Sequence, residues 1–424
     1  MVNAKSGPKE HLSADGKIRP CNAKSEDACR TGGKGEEPSI PVPPNMTKKE
    51  KEAWCERVKA ERYGQNTALF RKVDEKLTDE MTVDDLIAMA SDPKTEKSQL
   101  IELARSDNED VRTTAALNFN LPEDELNTLL NDKSDYVSEA ALSNLFYNCG
   151  ISSKMLDRAL SNENWKVRVA ATANPNITAD QLDKALSDEE WNVRVEAVTN
   201  SNITDEQLEI ALADTSWEVR VEAMKNLRLT NEQLEKGLSD KIGRVRASAA
   251  KNPLLSSDQI DRALLDEEFI VRRAAAENPS ATVEHIDKAS NDEDSFVRCG
   301  AADNPNATKS QLAKLFSDEN VVVRSIAVRN PSLGKSQLNT AFNDDSADVR
   351  KSAASNKSAT SAQLDKALTD ENKFVRYAAI SNPKISKTQL TRALNDKDVN
   401  VRSRALLTAH RRLLTTHRNY DTEE

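Results

Sequence analysis

The apolar positions of this chain return on a fixed period. Leu182, Leu208, Leu234, Ile260, Ile286, Leu312, Leu338, Leu364 and Leu390 each precede a Val-Arg pair whose arginine lies twelve residues on (194 − 182 = 12). Those arginines, from Arg168 through Arg194 to Arg402, are evenly spaced (194 − 168 = 26). Within one period Leu182, Ala185 and Leu186 share a helical face, and Val193, Ala197 and Val198 share another. Two short amphipathic helices per period follow. Neither buries its apolar stripe alone, so the pattern predicts an all-α solenoid, a superhelix of about twelve 26-residue, two-helix repeats. The same offset finds Leu156, Leu100 before Arg112, and Leu126 before Ser138. The step from Ser138 to Arg168 is longer (168 − 138 = 30), which predicts a bend or altered loop around Tyr147 to Ser153.

Polar residues punctuate the period. Thr178, Thr204, Thr230, Ser256, Thr308, Thr360 and Ser386 each stand three residues before a glutamine, the spacing of a capping box. Thr282 is followed instead by His285, and Gln337 is preceded by Gly334. Asp188 is expected to end the first helix and cap the second. The second helix closes at Asn200 and its counterparts, often as Asn-Pro (Asn278-Pro279), because proline stops a helix. These asparagine side chains are expected to bond local backbone.

Four segments emerge. Residues 1–45, with Gly32-Gly33 and Pro43-Pro44, read as a flexible Gly/Pro-rich tail. Residues 46–97 read as a helical N-terminal cap opened by Thr47 and carrying Trp54, Val58 and Tyr63. Residues 98–408 hold the repeats, and residues 409–424 read as a basic helical C-terminal cap and tail.

Charge narrows the function. The 424 residues are 31% charged with a net charge of −10, and no apolar run approaches the ~18–20 residues of a membrane helix. Met1 to Ser13 lacks the apolar core of a secretory signal. An acidic array disfavours nucleic acid, which needs a basic stripe. Five cysteines make no disulfide framework, so a reducing cytoplasm is the expected compartment.

Projected at ~100° per residue, Arg194 falls in the middle of the apolar side of its helix. A cation there needs a partner. Asp188 stands six residues earlier (194 − 188 = 6), and the pairing recurs as Asp214 with Arg220, Asp240 with Arg246 and Asp266 with Arg272. Such recurrence predicts a structural ladder within or between neighbouring repeats rather than ligand sites.

Asp-x5-Arg with valine before the arginine, as in Asp188 to Val193-Arg194, resembles the HEAT and HEAT-like repeat signature. The fuller block of Val193-Arg194, Ala197, Asn200, Leu208 and Asp214 resembles the leucine-rich repeat variant, over about residues 98–408. The resemblance implies a right-handed superhelix of two helical layers, one partly 3₁₀. The Thr-x-x-Gln caps point instead to a true α turn. Some variant-repeat proteins bear an iron–sulphur cluster on four N-terminal cysteines. Here only Cys21, Cys29 and Cys55 precede the array, without a close Cys-x2-Cys pair.

Candidate chemistry is sparse. His11, Cys21 and Cys29, with Cys55 as a distant fourth, are candidate zinc ligands; the alternative is a tail with free thiols. Trp165, Trp191 and Trp217 share one repeat position, continued by Phe269 and Val321 after a gap at Gly243, and Ile270, Phe296, Val322 and Phe374 share the next. Stacked repeats turn such positions into ridges suited to a protein partner. The tryptophans are expected to pack between repeats, and Phe296 and Phe374 to be exposed. No phosphate-binding glycine loop or nucleophile elbow occurs, and acid runs such as Asp188-Glu189-Glu190 recur as features of the fold. The sequence therefore predicts a monomeric, non-catalytic scaffold without a cofactor that binds a protein or peptide. Two alternatives remain: nucleic-acid binding through Arg402, Arg404, Arg411, Arg412 and Arg418, and an N-terminal zinc or iron–sulphur module.

Overall fold

Reciprocal caps decide where the first helix of each repeat begins. The Thr178 hydroxyl accepts from the Gln181 backbone N–H at 3.3 Å, and Gln181 Oε1 accepts from the Thr178 N–H at 3.0 Å. Two donors that no helix can satisfy internally are thereby met. The helix Ala179–Leu186 follows, then Trp191–Thr199, whose apolar Val193 and Ala197 are fully buried. The computed structural model describes residues 10–12, 18–20 and 81–420, with side chains from 81 to 411.

The chain forms two compact units, residues 1–219 and 220–424. Among the described residues each unit is a stack of helix pairs, an all-α solenoid architecture. In the second unit the pairs include Phe269–Ala276 with Val283–Ala289, and Ser295–Asp303 with Lys309–Phe316. Both layers are α-helical, so the partly 3₁₀ layer implied by the resemblance is not found there. Within the segment read as a tail, Glu10–Leu12 and Ile18–Pro20 pair as short antiparallel strands, with His11 opposite Arg19. Of the expected N-terminal cap, the described part begins with the helix Val83–Ser91, boxed by Thr82 and Asp85; Trp54, Val58 and Tyr63 lie outside the described residues. The last helix, Val399–Tyr420, runs without a break through residue 408.

Arginine and aspartate join successive repeats. In the first unit Arg194 Nε and Nη2 grip the Asp214 carboxylate at 2.7 and 3.0 Å, one repeat ahead. Its Nη1 donates back to the Asp188 carbonyl at 2.7 Å. The Asp188 carboxylate in turn receives Arg168 at 2.7 and 2.8 Å. The six-residue offset thus marks a carbonyl contact, and the ion pair spans twenty residues (214 − 194 = 20). The pairing recurs in the second unit from Arg220–Asp240 through Arg246–Asp266 and Arg272–Asp292 to Arg376–Asp396. Bidentate geometry satisfies the guanidinium and holds the two repeats in register. Asp188 does not cap the second helix as expected. The first helix ends at Leu186, Glu190 occupies the N-cap, and Asp188 Oδ1 accepts from the Glu190 N–H at 2.9 Å.

Two further ladders run beside the first. Asn278 Oδ1 accepts from the Ser280 N–H at 2.7 Å, the local bond expected. Its Nδ2 reaches back one repeat, to the Ala250 and Asn252 carbonyls at 2.7 and 2.9 Å. Gln311 likewise donates to the Val283 carbonyl of the preceding repeat at 2.6 Å. The four-residue insertion is not a bend. It lengthens one helix to Asp135–Tyr147, because four residues add about one α turn. Asparagine is doubled to suit: Asn144 donates to the Ala116 and Asn118 carbonyls, and Asn148 to that of Phe119.

Candidate interaction surface

The ladders consume the polar groups of the interior, so a binding surface must come from what the second helices leave outside. In the second unit the residues three and two before each ladder arginine lie on the opening turn of the second helix. Gly243 and Arg244 come first and carry no ridge; Phe269 follows, and its ring sits 5.6 Å from that of Phe296 in the next repeat. Phe296 is 51% exposed, and Val322 one repeat on is equally open. Asp348 then occupies the same position, and Phe374, 58% exposed, follows with Lys373 Nζ 5.5 Å from its ring centroid. In the first unit Trp165 and Trp191 are 38% and 41% exposed, which corrects the expectation that they pack between repeats; Trp217 is half-buried.

Acids border this apolar line. Glu267, Glu293 and Glu319 are exposed in the bends ahead of the second helices. Glu267 and Glu293 stand at the fringe of the ladder, 3.8 Å from Arg246 and 3.9 Å from Arg272. Their charge is surplus, because each arginine is already matched by the inner aspartate. Inside, the Asp266 carboxyl is pushed up by burial but held below the usual carboxylate range by hydrogen bonds from Arg246 and the Glu268 N–H. Asp240, Asp318 and Asp370 are held the same way. Asp188, Arg194, Asp214, Arg220, Asp240, Arg246, Asp266 and Arg272 are joined in ion pairs from repeat to repeat within the two stacks.

His285 carries out glutamine's task. Its Nδ1 accepts from the Thr282 N–H at 3.0 Å, and Nε2 lies 3.3 Å from both the Ser257 hydroxyl and Asp261 Oδ1. It is buried and fully engaged, which removes the one repeat histidine from any catalytic reading. Replacing it with the residue of neighbouring repeats, His285→Gln, should leave the urea midpoint unchanged. His285→Ala should cost about 2 kcal/mol, because it orphans a helix-start donor and the inter-repeat bonds.

Other candidates fall away or lie out of view. Among the described residues no group of three or more His, Cys, Asp or Glu side chains could hold a metal ion. Cys21, Cys29 and the side chain of His11 lie outside the described residues. Cys299 is a buried free thiol that burial pushes up. At the C-terminus Arg402 donates to the Asp396 carbonyl, and Arg404 bonds Ser381 and lies 5.4 Å from the Tyr377 ring centroid. Both are thus engaged in packing, and the side chains of Arg412 and Arg418 are not described. A recess of about 510 Å³ in the first unit, lined by Asn127, Asn131, Arg158, Ser161, Asn162 and Glu163, is open to solvent.

Helix order, caps and ladders together define the class: a helical-repeat protein whose described chain is built as α-solenoid stacks. No protein-family model matches the chain, and no curated protein matches it. Among solved structures it is similar to a leucine-rich repeat variant with a novel repetitive structural motif, at 22% identity over 61% of this chain and 97% of that one, TM-score 0.35. A structure of Kap95p bound to RanGDP is similar at 12% identity over 76% of this chain and 47% of that one, TM-score 0.27. An engineered protein is similar at 14% identity over 77% and 82%, TM-score 0.18. No helix among the described residues is long and apolar enough to cross a membrane.

Proposed function

We propose that the protein is a non-catalytic interaction scaffold that binds a partner protein or peptide through the second-helix face of residues 220–424. One observation carries this reading. Phe269, Phe296 and Val322 form an exposed apolar line along three successive repeats, although each helix already buries its core stripe without them. Exposed aromatic lines of this kind are what interfaces use as anchors. The acids beside the line favour a protein over a polyanion, whose phosphates they would repel.

The test is affinity capture with the immobilised full-length chain and with the double variant Phe296→Asp/Phe374→Asp. Both side chains are more than half exposed, so the variant should fold with a melting midpoint close to wild type. A specific protein retained by wild type and lost by the variant supports the scaffold. Identical retention by both removes this face from the function.

A further inference from the structure

The apolar line does not stand alone, and its border names the chemistry of what covers it. Glu267, Glu293 and Glu319 occupy one repeat position, one per repeat, and Phe296 and Val322 occupy another, with Phe269 one residue earlier in its repeat and its ring 5.6 Å from that of Phe296. Two parallel lines result, one acidic and one apolar, on the same edge of the second-helix layer. The acids are not used up by the fold. The nearest cations, Arg246 and Arg272, give both arms of their fork to Asp266 and Asp292 and reach the glutamates only at 3.8 and 3.9 Å. The run of acid at this position continues through Asp345 and Glu371 and is bounded by Lys241 and Lys397.

We infer that this face takes an extended cationic segment of a partner protein, with an apolar side chain at every third residue and lysine or arginine between. The inference rests on the scaffold function proposed above and specifies its partner. Charge complementarity sets the sign: a row of exposed carboxylates, held only at the fringe of arginines already matched by the inner aspartates, repels acidic or phosphorylated chains and attracts basic ones. Spacing sets the period. Packed helices lie about 8–10 Å apart, and an extended polyproline-II chain rises about 3.1 Å per residue with three residues per turn. One polyproline-II turn of three residues therefore spans one repeat, so every third side chain meets the apolar line and the intervening ones reach the acids. A helix laid along the same line would bring one apolar side chain to each repeat only every seven residues, about 10.5 Å, and would bury little of it.

The experiment uses the full chain and four synthetic peptides of about twelve residues, read by fluorescence anisotropy. The first has leucine at every third position with lysine and arginine between. The second replaces the cations by glutamate, the third replaces the leucines by serine, and the fourth moves the leucines to heptad spacing. The first should bind at least about ten-fold more tightly than the others, with affinity falling as salt rises. Glu267→Gln/Glu293→Gln/Glu319→Gln should weaken it about ten-fold and flatten the salt dependence, and Phe296→Ser should weaken it at every salt concentration. Equal or tighter binding of the glutamate or heptad peptide, lost in Phe296→Ser, would overturn the partner chemistry and leave the scaffold standing. No binding of any peptide overturns the inference. If Phe296→Asp/Phe374→Asp also changes no captured protein, the scaffold falls with it.

Discussion

Arg246→Ala is expected to lower the stability of the second unit by about 3 kcal/mol, the cost of breaking a buried ion pair by removing one partner. The side chain grips Asp266 at 2.7 and 2.9 Å and donates to the Asp240 carbonyl at 2.9 Å. Truncation leaves a half-desolvated carboxylate whose remaining support is the Glu268 N–H at 2.9 Å. Arg246→Lys should recover less than half, because an ammonium cannot make the parallel fork. Urea unfolding followed by helical signal measures both; an unchanged midpoint for Arg246→Ala would show that the ladder is incidental to stability. Acid should act on the wild type as truncation does. The Asp266 carboxyl is depressed when folded, relative to ~3.9 in the unfolded chain. Its stabilisation is therefore full above that unfolded value and is lost as pH falls through the lower folded value. Stability should stay level from neutral pH to about 5 and drop below about 4, with a shallower drop in Arg246→Ala.

Asn278→Asp should be as damaging and should respond to pH in the opposite sense. The asparagine is fully buried, and its amide donates to two carbonyls of the preceding repeat. An aspartate there faces both carbonyls with an oxygen and no donor. The expected cost at neutral pH is on the order of 4 kcal/mol, against about 2 for Asn278→Ala, which removes the bonds without adding a charge. Burial and the carbonyls raise the folded value of such a carboxyl above its unfolded one. The penalty is then present above the unfolded value and eases as pH falls through the raised folded value. Asn278→Asp should gain on wild type between about pH 7 and 5. A penalty independent of pH would mean that the side chain escapes to water.

The proposed interaction surface is only partly legible in the sequence. The ridge positions of Phe296 and Phe374 follow from helical projection, because both point away from a stripe already filled by Val297 and Val375. The partial exposure of Trp165 and Trp191 did not follow, since a residue at the margin of the stripe is covered or bare according to the width of its neighbours. Glu267 belongs to a recurring acid run of the same kind as Asp188-Glu189-Glu190. Recurrence alone could not separate the inner aspartate, which the preceding arginine claims, from the outer glutamates, which it barely reaches.

What the sequence determined by itself was everything local and periodic. The two apolar stripes, the Thr-x-x-Gln starts and the Asn-Pro stops act within a few residues, so their spacing can be read directly. Even the substitution of His285 for glutamine was visible, though its success as a cap was not. What tertiary structure decided was which equivalent group each polar side chain chooses. Arg194 could have taken Asp188 or Asp214, and Asn278 could have been content with its own turn. Stacking brought Asp214 and the Ala250 carbonyl within reach and made those long-range bonds the ones that join repeat to repeat. The extra turn in Asp135–Tyr147 was settled in the same way: four residues can make a loop or a helical turn, and the doubled asparagines with carbonyls waiting in the preceding repeat selected the turn.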